Sequence, residues 1–350
     1  MTYYREFRKL FGKWFVGLLC GLLVVFWALP GPGASAATPT PPPAPSAAAP
    51  LRVVAIEPFL ADIAQNVAGE RLKVASLIPV GVDPHSFEPT PRDARTLAES
   101  DVVIIHGAGL EEFLQNLLES AGGGWQLVIE ATKGLAFREP HEEGEEHARE
   151  HDEEPMPTET APPTPAEEEM HHHHEGDPHF WLDPNYVIHY VENIRDGLSQ
   201  VDPAGAALYA QNAAAYIEQL RALDRWIVEQ VAQVPPERRL LVTDHESFGY
   251  FADRYGFRIV GTILPGVSTG VSPSAQQLAH LIDLIRETGA PAIFLETGSN
   301  PQLAEQIARE TGVRVVSDLY THSPSPADGP APTYLDMIRY NTLAIVEALR

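Results

Sequence analysis

Cysteine is almost missing from this chain. Cys20 is the single thiol among 350 residues, and it lies in an apolar N-terminal run expected to leave the mature protein. Without it, disulfides, thiolate zinc sites and cysteine nucleophiles are excluded together. Positive charge is scarce as well: 24 Lys and Arg stand against 48 Asp and Glu, for a formal net charge of −24. Such an anionic molecule repels nucleic acid and anionic lipid and attracts cations, so no nucleic-acid partner is expected. Neither a His-Glu-x-x-His helix nor a glycine-rich phosphate loop is present, which removes two common signatures of hydrolytic and nucleotide enzymes.

What the chain does have begins with an export signal. Arg5, Arg8, Lys9 and Lys13 form a basic region, residues 14–29 are apolar, and Ala34-Ser35-Ala36 fits a small-x-small cleavage site. Residues 1–36 therefore read as a signal peptide, and 37–50, rich in Pro and Ala, as a disordered tether. The alternative is an uncleaved membrane anchor, but the run stops at Pro30, short of the about 20 apolar residues of a full span. Lipidation at Cys20 has weak support, because Leu19 stands where a small residue is expected. The mature protein is expected outside the cytoplasm, in a periplasm or on the cell surface.

Folded structure is expected from residue 51. Short apolar runs at 51–56, 72–78, 101–105, 126–130, 240–242, 257–261, 292–295 and 313–316 read as buried strands. Helical patterns at 58–68, 92–100, 248–255, 274–288 and 302–311 lie between them. Strands alternating with helices of this length imply an α/β fold with parallel sheets. A long helical stretch over 201–235 interrupts the pattern, with Asp202-Pro203 at its start and Pro235-Pro236 at its end. At about 30 residues it would span roughly 45 Å. The expected architecture is an N-terminal lobe (51–200), a linking backbone helix (201–235) and a C-terminal lobe (236–350) closed by a helix over 334–349.

Histidine is concentrated in one place. From Glu139 to His179 the chain carries eight of its fourteen histidines, fifteen acids and one arginine, Arg149. This stretch supplies fourteen of the net negative charges. His141, His147, His151, His171, His172, His173 and His174 lie on it, inside an acidic loop (139–177) expected to be disordered. Imidazole nitrogens and carboxylate oxygens are the donors preferred by a borderline divalent cation such as zinc. Charged low-complexity insertions are usually solvated and silent. The metal-collecting reading is favoured here because the run leads into Asp177-Pro178-His179-Phe180-Trp181-Leu182-Asp183-Pro184.

Outside the insertion, His85 sits in the proline-stiffened loop Asp83-Pro84-His85-Ser86-Phe87-Glu88-Pro89. His245 follows the strand at 240–242, and Asp318 follows the strand at 313–316. In open parallel sheets ligands bind beyond the carboxyl ends of the strands. With His179 these residues make a set of three imidazoles and one carboxylate, suited to Zn²⁺ in a cleft between the lobes. Singly, each is more often a surface or cap residue. Glu296, ending the strand at 292–295, is a candidate for orienting a ligand imidazole or a plain helix-start acid. His106 is expected to be structural, His189 and His280 to be helical packing or surface residues, and His322 to be solvated. Asp244 and Glu246 flank His245 as loop acids. Phe180, Trp181, Tyr250 and Phe251 are expected in the lobe cores.

Three motifs change the weight of these positions. His85-Ser86-Phe87-Glu88-Pro89, His179-Phe180-Trp181-Leu182-Asp183-Pro184 and Phe248-Gly249-Tyr250-Phe251-Ala252-x-x-Tyr255-Gly256 occur in this order around a His/acid-rich insertion. Together they resemble the TroA-like solute-binding proteins of ABC importers, and most closely the zinc-binding, ZnuA-like branch. The resemblance covers residues 51–350. It implies two α/β lobes on a backbone helix, one ion between them, and metal-binding residues at His85, His179, His245 and Asp318. Manganese members commonly carry a carboxylate where His245 stands, so Zn²⁺ is the expected cargo and Mn²⁺ the alternative.

The resemblance implies a monomeric binding protein, not an enzyme, that delivers its ion to an ABC permease. A zinc hydrolase is the competing class, with Glu88, Asp244, Glu246 or Glu296 as the base. An extracellular metal buffer or adhesin without a transporter is the third reading. Imidazole coordination predicts that affinity falls as pH drops through about 6.5.

Overall fold

The computed structural model describes residues 51–111, 113, 114, 117, 127–138 and 176–350. The N-terminal signal and tether and the seven histidines between His141 and His174 lie outside these residues. Among the described residues the chain forms two four-stranded sheets, each wholly parallel.

The first sheet contains β1 (Val53–Ala55), β2 (Val74–Ser76), β3 (Val102–Ile105) and β4 (Leu127–Glu130), in the order β2-β1-β3-β4. Helices α1 (Pro58–Ala68) and α2 (Pro91–Ala98) belong to the same lobe. The second sheet contains β5 (Leu240–Thr243), β6 (Arg258–Thr262), β7 (Ala292–Glu296) and β8 (Arg314–Leu319), in the order β6-β5-β7-β8. The two orders are the same topology used twice. Between the sheets run α3 (Pro184–Val201) and α4 (Ala206–Val231), and the second lobe adds α5 (Gly249–Tyr255), α6 (Ala275–Thr288), α7 (Gln302–Thr311) and α8 (Tyr334–Leu349).

The period-2 alternation of the strands divides the core into layers. Val53, Ala55, Val102 and Ile104 of the first sheet face the same apolar cluster as Leu241, Ala292 and Phe294 of the second. Tyr209, Tyr216, Leu220, Leu223 and Ile227 of α4 belong to that cluster too. The alternate residues face outward into separate clusters: Val54 and Val103 in the first lobe, Val242, Ile293 and Leu295 in the second. One core therefore runs through both lobes along α4, with a smaller one behind each sheet.

The linking helix is shorter than expected. Asp202 and Pro203 open a 3₁₀ turn over Pro203–Gly205, and α4 proper covers 26 residues, or about 39 Å. It packs against α1, α3, α5 and α8. Helix α3 had no strong separate signal among the sequence patterns, although its start is well marked. Asp183 accepts a hydrogen bond from Asn185 N and Pro184 takes the first helical position.

Candidate metal centre

Four imidazoles converge where the two sheets present the carboxyl ends of their strands. They are His85, His179, His245 and His322, and one nitrogen from each lies within 4.8 Å of the corresponding atoms of the other three. His85 Nε2 is 3.3 Å from His179 Nε2, and His245 Nε2 is 3.2 Å from the same atom. Tetrahedral coordination at Zn–N of 2.0–2.1 Å places neighbouring nitrogens about 3.3–3.4 Å apart. Both of these spacings therefore fit a shared ion.

Each ring is positioned by its local sequence. His85 lies in a 3₁₀ turn, Pro84–Ser86, whose Asp83 carboxylate accepts from His85 N at 2.9 Å. His179 precedes a second 3₁₀ turn, Phe180–Leu182, in which all three side chains are buried. Its Nδ1 donates to Asp177 Oδ1 at 2.8 Å, and the same oxygen accepts from His179 N at 3.0 Å. His245 leaves β5 in a tight turn, its carbonyl accepting from Thr243 Oγ1 and Ser247 N, each at 2.8 Å.

Glu296, at the end of β7, serves two rings. Its Oε1 lies 3.1 Å from His245 Nδ1 and its Oε2 3.0 Å from His322 Nδ1, while Ser247 Oγ donates to Oε1. In three of the four rings a carboxylate thus occupies the Nδ1 side. A proton held there leaves the Nε2 lone pair free for a ligand. The His322 Nε2 atom is buried without a hydrogen-bond partner, as an uncompensated donor site would be.

Asp318 does not join the group, contrary to expectation. It is exposed, has φ +73°, and accepts from the neighbouring Ser317 Oγ. The cause is a bulge: Phe294 pairs with Val316, but Glu296 pairs with Leu319, so β8 carries one extra residue. Asp318 takes the left-handed conformation that Asp tolerates better than most residues. Past the bulge, Trp181 Nε1 donates to Thr321 O at 2.6 Å, and Asn341 bridges both backbone groups of Tyr320. These bonds fix the loop that carries His322 into the cleft. His322, expected to be solvated, is only 6% exposed. It lies beyond the carboxyl end of β8, the same positional signal that favoured Asp318, four residues further on.

Asp177 was also missed, counted only as the last acid of the insertion. His106 is structural, as expected: it is fully buried, with its ring nitrogens on Pro178 O and Tyr190 OH. His189 lies on α3 and His280 on α6. Phe180, Trp181, Tyr250 and Phe251 are buried in the core shared by the lobes. Gly266-Val267-Ser268-Thr269-Gly270 has Gly-x-Ser-x-Gly spacing, which corrects the expectation that no such motif is present. It lies within the long loop from β6 to α6, not at a sharp strand-to-helix turn. Its Ser268 hydroxyl accepts from Gly270 N.

The electrostatics differ from ring to ring. Burial, reinforced by repulsion from His322 and His245, lowers His85 to about 3. Burial and the neighbouring imidazoles hold His179 well below the ordinary histidine range. Burial would lower His245 too, but the charge of Glu296, helped by Asp244, raises it to about 10. Glu296 would be raised by burial, yet His245 and His322 hold it well below the usual carboxylate range. Burial pushes Asp177 up to about 7, against the hydrogen bond from His179 N and the Arg138 charge. Glu296 and Asp244 thus favour the protonated His245 ring, and His245 and His322 favour the anionic form of Glu296.

Comparison with known proteins gives one consistent family. The family described as zinc-uptake complex component A, periplasmic, matches residues 53–348. A manganese-binding lipoprotein, MntA, of Halalkalibacterium halodurans is 32% identical over 300 residues, covering 85% of this chain and 88% of the relative. The iron-binding protein YfeA of Yersinia pestis is 33% identical over 291 residues, covering 83% and 84%. Among solved structures, the periplasmic zinc-binding protein TroA of Treponema pallidum superposes with a TM-score of 0.71 at 28% identity, covering 86% of this chain and 99% of that one. A manganese-bound periplasmic metal-binding protein of Candidatus Liberibacter asiaticus gives 0.69 at 29% identity, covering 85% and 99%.

Proposed function

The chain belongs to the ZnuA/TroA-like family of metal-binding substrate-binding proteins of ABC importers, and from that premise we propose that its cargo is Zn²⁺. In this reading His85, His179, His245 and His322 hold the ion through Nε2, Asp177 orients His179, and Glu296 orients His245 and His322. The protein acts outside the cytoplasm as a single chain and hands the ion to its permease. The observation that carries the choice of metal is a donor set made of four imidazoles. Imidazole suits zinc, whereas manganese prefers oxygen-rich shells.

The competing cargo is Mn²⁺, favoured by relatives named for manganese. The test is elemental analysis of protein purified without a metal-affinity step, followed by competitive titration with both ions. Zn²⁺ retained through dialysis and displacing Mn²⁺ supports the proposal. Retention of Mn²⁺ in the presence of equimolar Zn²⁺ overturns it. A hydrolase finds less support, because four protein nitrogens fill a tetrahedral shell and leave no position for activated water.

The acidic, His-rich segment is proposed as a low-affinity collector that raises the local concentration of metal near the cleft. Its two ends flank the centre. Tyr250 OH accepts from Arg138 N at 3.2 Å and donates to Asp177 O at 2.8 Å. Deletion of residues 142–175 should remove weak zinc equivalents and leave one tight site; unchanged stoichiometry ends the idea.

A further inference from the structure

Two of the four imidazoles, His179 and His245, are fully enclosed, so an ion must approach by way of the other two. A cavity of about 720 Å³ is lined by one of them, His322. Its floor includes His322, Glu296 and Asp244, all buried, and its rim includes Ser272 and Asn300, both exposed. Asp83 lines the wall contributed by the first lobe. The space exceeds what six waters need at about 30 Å³ each, so a cation can come in with its hydration shell intact.

The lining changes in character with depth. Asp83 offers a carboxylate from the first lobe and Asp244 one from the floor, where Ser299 Oγ donates to Asp244 Oδ2 at 3.1 Å. Thr269 Oγ1 donates across the cleft to Asp83 Oδ2 at 2.5 Å. At the floor the His322 Nε2 atom is buried without a partner. Asp83, half-buried, thus lies outward of His322 on the path, and Asp244 lies beside His322 at the floor. Paired carboxylates in a confined opening concentrate cations and speed their arrival.

We propose that this cavity is the route by which the hydrated cation reaches the four imidazoles, with Asp83 and Asp244 drawing it in and His322 binding it first. The inference rests on the metal-binding reading above. It adds a path and an order of ligand exchange. Because a route is a kinetic property, blocking it slows binding and release together and leaves the equilibrium alone.

The test is stopped-flow measurement of Zn²⁺ association and dissociation on the full chain. Ser272→Trp places a bulky ring at the rim. Ser272→Cys in a Cys20→Ser background, with a bulky disulfide-linked label, makes the same block reversible by reductant. Both rates should fall by a common factor of about ten or more while Kd stays within about twofold, and reductant should restore them. Unchanged rates in both blocked forms overturn the route. The double variant Asp83→Asn/Asp244→Asn should bind more slowly, with a weaker dependence of the association rate on ionic strength. An unaltered dependence removes the carboxylates from the path and overturns their part. If the wild-type chain takes up no Zn²⁺, the functional reading falls. If it binds and release is indifferent to the block, only the route falls.

Discussion

The two lobes use one topology, yet they prepare their imidazoles in different ways. In the first lobe each ring is arranged singly: Asp83 fixes the backbone of His85, and Asp177 holds the Nδ1 of His179. In the second, the single carboxylate of Glu296 faces both His245 and His322. The first-lobe rings are driven toward neutrality by burial, whereas His245 is drawn to about 10 by its acidic partner. One half favours neutral rings; the other favours a protonated ring beside an anionic carboxylate. The asymmetry teaches that similar donor atoms can differ widely in what their use costs.

The largest effect should come from removing a ring. His179→Ala, which takes away the nitrogen nearest to two others, should weaken zinc binding by more than the about 100-fold typical of losing an orienting partner. Competitive titration with a chelating dye measures it, and a change below tenfold would break the four-ring centre. Glu296→Gln should cost close to 100-fold and Asp177→Asn nearer to tenfold, because one carboxylate serves two rings and the other serves one. Equal losses would erase the contrast between the lobes.

Protonation sharpens it further. With His245 held at about 10, coordination below that pH expels a proton. Zinc affinity should therefore keep rising by about tenfold per pH unit between 7 and 9, not level off above the ordinary histidine value. Calorimetry at pH 8 in buffers of different ionisation enthalpy should report about one proton released per ion in the wild type and fewer in Glu296→Gln.

A smaller effect belongs to the first lobe alone. Glu57 is fully buried with neither carboxyl oxygen partnered, and burial together with the charge of Glu111 raises it well above its usual range. Burial likewise raises Glu111 to about 7. A raised carboxyl favours the folded state below its unfolded value and loses that contribution as pH climbs through its folded value. Glu57→Gln should therefore stabilise the protein more at pH 8 than at pH 5, by about 1–3 kcal/mol, as read by denaturant unfolding. An identical increment at both values would contradict the buried pair. Smallest of all, Asp318→Ala should leave zinc affinity within about twofold, since its exposed side chain has only weak, screened influence on the ion.

Much of the fold was legible because burial leaves a plain trace. Val53, Val102, Leu241 and Phe294 are apolar residues in short runs bounded by turns, and seven of the eight strands match such a run to within a residue or two, while β8 runs three residues past its own. The convergence of His85, His179 and His245 was legible from strand-end placement and motif together. His322 was not, because the one-residue bulge at Asp318 is a property of pairing with β7 and leaves no periodic signal in β8. Nor was the role of Asp177. Its carboxyl looks like the last of fifteen acids until the chain turns it back onto His179. Helix α4 was read too long because Asp202-Pro203 starts a 3₁₀ turn, and no local preference separates that turn from the first turn of an α-helix.

The phenol of Tyr250 has a wider meaning. By bonding to both Arg138 N and Asp177 O, it ties together two points of the chain that are 39 positions apart. Doubling the length of a flexible stretch between two fixed points adds only about 0.6 kcal/mol of closure entropy. A longer or shorter stretch between those two points would therefore cost the fold little.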